Sequence, residues 1–168
     1  MSQIWFSSDW HFGHANIYKH RPAISSEEEN RERIKADYRK LVGDRDTVFL
    51  MGDICFLPEH LPEIAALPGK KVLIRGNHDT VNIHQMLQVF SDVWGLLHYK
   101  RFWLSHAPVH PNELRKRVNI HGHVHYATVD DPRYFNCCVE NLWDNFGTSL
   151  VNSGQVREEF IKRKVLML

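Results

Sequence analysis

The feature that most limits what this chain can become is a series of short apolar runs, each closed by a polar cluster of glycine, aspartate, asparagine and histidine. Residues 4–7 lead to Asp9 and His11, residues 47–51 to Gly52-Asp53, and residues 71–75 to Gly76-Asn77-His78-Asp79. Farther on, residues 102–105 lead to Ser105-His106 and residues 118–121 to the stretch from His121 to His125. Runs of four or five apolar residues are too short for helices and suit strands buried on both faces. In α/β folds the crevice beyond the carboxyl ends of strands is where sites assemble, so these distant clusters are expected to converge.

Between the strands the pattern is helical. Ser25-Ser26 followed by Glu27-Glu28-Glu29 reads as a helix start, with carboxylates in the favourable first turn, and the helix is expected to run to about Leu41. A short Pro-flanked helix is expected over residues 58–66, further strands over 92–100 and 134–140, and a weakly helical tail from Gln155. No repeat, low-complexity tract or linker divides the chain, so one domain over residues 1–168 is expected. A chain of this length buries about 70% of its unfolded surface and needs no disulfide or structural metal to fold.

Composition narrows the setting. No apolar run approaches a membrane span, and the start of the chain reads as a strand and not an export leader, so a cytoplasmic location is expected. Cys55, Cys137 and Cys138 are odd in number and lack metal-binding spacing; they read as reduced, buried residues. A net charge of +1 gives no overall basic field, with positive runs confined to Arg115-Lys116-Arg117 and Lys162-Arg163-Lys164, so long nucleic acid is not supported. Twelve histidines are the outlier, and what matters is where they stand.

Asp9-Trp10-His11 and His123-Val124-His125 place donors at i and i+2; in a tight loop, unlike a strand, such side chains need not point to opposite sides. Carboxylate, imidazole and amide donors together suit a pair of manganese, iron, nickel or zinc ions. With Gly52-Asp53, Gly76-Asn77-His78-Asp79, His106 and Gly122-His123-Val124-His125, the chain resembles the calcineurin-like metallophosphoesterase superfamily, with all five motifs in order. The extension Phe12-Gly13-His14-Ala15-Asn16 resembles its small phage- and bacterial-type branch.

That resemblance implies a four-layer α-β-β-α sandwich and two divalent metal ions, with manganese expected and iron, nickel, zinc or magnesium as alternatives. It implies that Asp9, His11, Asp53 and His125 hold one metal and that Asp53, Asn77, His106 and His123 hold the other. Two such ions lower the pKa of a shared water, and the resemblance makes His78 the acid that protonates the leaving group. Asp79 is open to two readings, orienting His78 or capping a following helix. His14 and Asn16 are open to phosphate binding, to support of His11, or to tying down their loop, while His121 reads as structural or supporting.

The protein phosphatases of the superfamily carry Gly-Asp-x-x-Asp-Arg-Gly, whereas this chain has Gly52-Asp53-Ile54-Cys55-Phe56 and lacks that arginine clamp. The expected substrate is therefore a small phosphoester, a nucleotide-like diester first, with a monoesterase, a nuclease or a non-catalytic metal-binding scaffold as rivals. Trp10, Phe12, Tyr18, Tyr126 and Trp143 are open to two readings, a wall that stacks a base or, as is more usual for aromatics beside a loop site, packing against the scaffold. Residues 144–152 follow no readable pattern.

Overall fold

The computed structural model describes residues 2–165 and arranges them as two sheets facing each other. The first contains β1 (Ile4–Ser7), β2 (Thr47–Leu50), β3 (Lys70–Ile74), β4 (Asp92–Trp94) and β9 (Val151–Asn152), in the order β4-β3-β2-β1-β9. Its first four strands are parallel, and β9 adds an antiparallel edge beside β1. The second contains β5 (Leu96–Tyr99), β6 (Phe102–Ser105), β7 (Val118–His121) and β8 (Tyr134–Asn136), in that order.

The apolar runs of β1, β2 and β3 lack polar alternation because both faces are covered. Trp5, Val48, Leu50 and Leu73 point to a core shared with Ile34, Tyr38, Leu61, Ile64 and Met86. These last five belong to α1 (Glu27–Leu41), α2 (Leu61–Ala65) and α3 (Ile83–Met86). Residues of opposite parity, Phe6, Phe49, Met51, Val72 and Ile74, meet Phe102, Leu104, Val118, Ile120 and Phe135 of the second sheet. The α4 turn (Pro111–Leu114) and the loop before it lie across the outer face of that sheet, where Val109 N–H donates to Asn119 Oδ1 and Tyr134 Oη to Val109 O. The result is the α-β-β-α sandwich, with a thin fourth layer.

The α1 start is as its sequence predicts: Ser26 Oγ accepts from Glu29 N–H, while Glu29 reaches back to Ser25. Three boundaries differ from expectation. Residues 92–100 form two strands in different sheets, with Gly95 as the single residue between β4 and β5. The expected strand over 134–140 ends at Asn136, and α5 (Val139–Phe146) begins soon after, stopped by Gly147 in a left-handed cap (φ 67°). The unreadable stretch 144–152 thus becomes a helix end plus the edge strand β9. The helical tail, α6 (Ser153–Lys162), begins with an Asn152–Gln155 capping box, and the last three residues of the expected domain lie outside the described residues. Among the described residues, no helix is long and apolar enough to cross a membrane.

Candidate metal centre

Each polar cluster follows a strand of one sheet or the other, and the loops meet where the two sheets open. Asp9 N–H donates to Gly52 O and His11 N–H to Asp53 O, so the first two loops are laced together by their backbones. Asp9, His11, Asp53, His123 and His125 all take positive φ, between 51° and 73°, and make up five of the eight such non-glycine residues described. Left-handed backbone at these residues costs energy and persists only where the surroundings impose it. It also explains how Asp9 and His11, two residues apart, face one point, whereas His123 and His125 each face a different one.

Close approach is what the motif glycines permit. A Cβ on Gly122 would stand 1.9 Å from Ser8 Oγ and 2.4 Å from Asp9 Oδ2, and one on Gly76 would stand 2.2 Å from Asp53 Oδ1. Only hydrogen fits in either gap.

The carboxylates are aimed by their hydrogen bonds. Asp9 Oδ2 accepts from Ser8 Oγ (2.5 Å), His123 N–H (2.9 Å) and Cys138 Sγ (3.2 Å), which leaves Oδ1 buried without a partner among the described residues. Asp53 Oδ1 accepts from His78 N–H (2.8 Å), which turns Oδ2 toward both His11 Nε2 (3.9 Å) and His106 Nε2 (3.4 Å).

The imidazoles are aimed in the same way. Met51 O accepts from His106 Nδ1 (2.8 Å), and Glu140 Oε1 accepts from His125 Nδ1 (3.0 Å), so both Nε2 atoms carry lone pairs. Two groups of donor atoms result, Asp9, His11 and His125 in one and Asp53, His106 and His123 in the other. Asn77 Oδ1 joins the second at 2.9 Å from His106 Nε2, and His123 Nδ1 stands 3.1 Å from that same nitrogen. Lone pairs and carboxylate oxygens crowded this closely repel one another unless a cation lies between them, so the donor set fits divalent metal.

Charge follows the same logic. Burial works to raise the Asp9 carboxyl, but the His11 imidazole 3.6 Å away, the Ser8 hydrogen bond and the nearby His106 hold it well below the usual range. Burial lowers His11, whereas the Glu140 bond raises His125.

Seven residues expected to bind metal therefore come together, and one other expectation changes. Asp79 neither touches His78 nor caps a helix: its carboxylate accepts from Gly76, Asp53, Ile54 and Cys55 N–H, and α3 is capped by Asn82 instead. It braces the Asp53 loop. Of the five aromatics, Trp10, Phe12 and Trp143 pack in the core and Tyr18 lies outside the cleft, which leaves Tyr126 lining it. The cleft of about 360 Å³ beside the centre is lined by His11, His14, Ile17, His20, Phe56, His78, His125, Tyr126 and Glu140. His14 faces it, whereas Asn16 is exposed and does not line it.

Arg21 and Glu140 went unnoticed in the sequence. Arg21 is fully buried and donates to Glu140, Asn30 and the carbonyls of Asp9 and Trp10. It ties the first loop to the carboxylate that orients His125. Glu140 was misread as strand, and 119 residues separate it from Arg21, so no local pattern marks the pair.

Comparison with known proteins agrees with this geometry. Residues 3–168 match the model of the calcineurin-like phosphoesterase superfamily domain. The chain belongs to that superfamily. Membership places it among the metal-dependent phosphoester hydrolases. It is 32% identical over 145 residues to an uncharacterized protein of Methanocaldococcus jannaschii, covering 81% of this chain and 77% of that one. It is 37% identical over 84 residues to the gene 66 protein of Mycobacterium phage L5, covering 47% of this chain and 41% of that protein. The crystal structure of a protein of unknown function from Aquifex aeolicus shares the calcineurin-like fold with a TM-score of 0.73 and 25% identity, over 94% of this chain and 99% of that one.

Proposed function

We propose that the chain is a phosphodiesterase acting on small nucleotide-like esters, with Asp9, His11, Asp53 and His125 holding one divalent metal and Asp53, Asn77, His106 and His123 the other. The observation that carries this reading is Asp53 Oδ2, the one oxygen turned toward both donor groups. Oxygen and imidazole donors without thiolate suit manganese, our choice, ahead of iron, nickel, zinc or magnesium. When bound, the two ions supply an activated water and neutralise charge on the phosphoryl oxygens.

The remaining chemistry belongs to the chain. The His78 ring stacks on Phe56 (4.8 Å, 22°), is exposed in the cleft and lies 6.0 Å from the His11 ring. From there it hands a proton to the departing oxygen, while its own N–H positions Asp53. Asn77 contributes a neutral amide, which leaves the centre more electrophilic than a carboxylate would. Phe56 forms an apolar wall against His11, His14 and His78. An apolar wall favours a singly charged diester with an organic group on each side over a doubly charged monoester. Tyr126, Phe56 and Ile17 give that group a surface in the cleft. The three free, buried cysteines suit a reducing, cytoplasmic setting.

The test is a panel of aryl phosphomonoesters, aryl phosphodiesters and 2′,3′- and 3′,5′-cyclic nucleotides on protein loaded with single metals. Turnover should be highest for diesters with manganese. A preference for monoesters would overturn the substrate class. Two bound metals with no turnover on any of them would show a non-catalytic scaffold.

A further inference from the structure

A near-neutral chain conceals one strongly basic surface. Lys100, Arg101, Arg115, Lys116 and Arg117 line a single open groove of about 440 Å³ with no carboxylate among them. None of the five is in an ion pair among the described residues. Their placement is not that of ordinary turn residues. Lys100 and Arg101 form the two-residue turn between β5 and β6, and Lys100 takes a φ of 54°, where glycine is the usual choice. Arg115 sits at φ 53°, ψ −111°, also a region that side chains avoid. Two of the five cations are thus held where the backbone disfavours any side chain.

The groove and the metal centre lie at opposite ends of one face of the β5–β6 pair. Side chains of one parity on a strand share a face, and cross-strand partners share it too. Leu96 and its partner Ser105 line a second cleft beside the centre, with Arg75, Asn77, His106 and His123. The next pair on the same face is His98 and Trp103, whose rings are 5.1 Å apart and which carry Arg117 against them. The Lys100-Arg101 turn follows. From Leu96 to Lys100 is about 13 Å along the strand. A cation lies at each end, with aromatic and apolar side chains between.

We propose that this face of β5 and β6 is a track for a short single strand of nucleic acid, whose backbone rests in the basic groove while a phosphodiester reaches the metal centre. Cations beside aromatic rings suit a single strand, because phosphates seek charge and bases a flat surface. Four of the five have no ion-pair or side-chain hydrogen-bond partner among the described residues, and Arg117 is laid on His98 and Trp103. An acidic peptide would leave the rings unused, and a membrane would require a flat surface. The proposal deepens the phosphodiesterase reading by naming the substrate class, and it is tested apart from that reading.

Binding of a labelled oligothymidylate of about a dozen nucleotides, followed by fluorescence anisotropy against salt, reads the track alone. Five neutralised phosphates give a log–log slope of roughly −3.5, and R101S/K116S should flatten it by about 1.4. Thermal melting of the variant checks its fold, and R101Q/K116Q serves if the first pair melts early. A slope near zero, an unchanged slope in the folded variant, or equal affinity for polyglutamate or anionic vesicles would overturn the proposal. Wild-type turnover of a small aryl phosphodiester is measured in parallel; its absence would refute the catalytic reading and leave the binding result to stand on its own.

Discussion

At the scale of single residues, function depends on which atom of each side chain is left free. Ser8 and His123 N–H occupy one oxygen of Asp9, and Glu140 and Met51 occupy one nitrogen each of His125 and His106. The free atoms are the ones that converge. Glu140→Gln should weaken metal binding about 10-fold, read by titration with manganese, because a neutral amide holds the His125 Nδ1–H more weakly than the carboxylate and leaves the imidazole a poorer donor. The same change leaves the Arg21 charge buried and unpaired, and should lower stability by about 3–5 kcal/mol in urea unfolding. His78→Ala should leave both metals in place by elemental analysis. It should cost about 10²- to 10⁴-fold in kcat for an alkyl leaving group and far less for a nitrophenyl one. Equal losses on both would remove His78 from the acid role.

At the scale of elements, the site depends on loops held at distances that only glycine tolerates. Gly122→Ala drives a methyl group into Ser8 and Asp9, and should abolish metal binding at 25 °C while far-UV circular dichroism still shows both helix and strand. Away from the centre, α1 is fastened to α2 by Glu63, which meets Arg31, Lys35 and His60. Burial works to raise this carboxyl, but Lys35, His60 and Arg31 pull it down to about 2 from 4.5. A lowered pKa means that the contribution is present above pH 4.5 and is lost as pH falls through about 2. Glu63→Gln should therefore destabilise by about 1 kcal/mol at pH 7, and the melting curves of variant and parent should merge near pH 2. Strands expected over 92–100 and 134–140 differ from the observed ones at this scale, the first splitting into β4 and β5 and the second ending at Asn136. Gly95 and Asn136 look ordinary in sequence, and only the choice of neighbouring strand decides where the chain turns.

At the scale of the whole molecule, metal and fold are coupled, because a cation would offset the crowding of carboxylate oxygens and imidazole lone pairs on five left-handed residues and their neighbours. Metal at 100 times its dissociation constant should add about 2.7 kcal/mol. In a domain of this size that corresponds to a rise of roughly 5–10 °C in Tm, reversed by a chelator and measured by calorimetry. An unchanged Tm would mean that the centre is preformed without strain.

The sequence by itself determined the strand runs, the α1 start and the residues that converge on the metal centre, because periodicity, capping and metal-donor chemistry are local properties. Asp9, His11, Asp53, Asn77, His106, His123 and His125, which the family resemblance singles out, all come together at the strand ends. Tertiary structure alone decided that Asp79 braces a loop, that Trp10 and Phe12 are core, and that Glu140 and Arg21 support the centre. It also gathered two short basic segments into one groove. Burial and hydrogen-bond partnership join residues that lie far apart in the chain, 26 positions for Asp79 and Asp53 and 119 for Arg21 and Glu140, and no short window contains both members of such a pair.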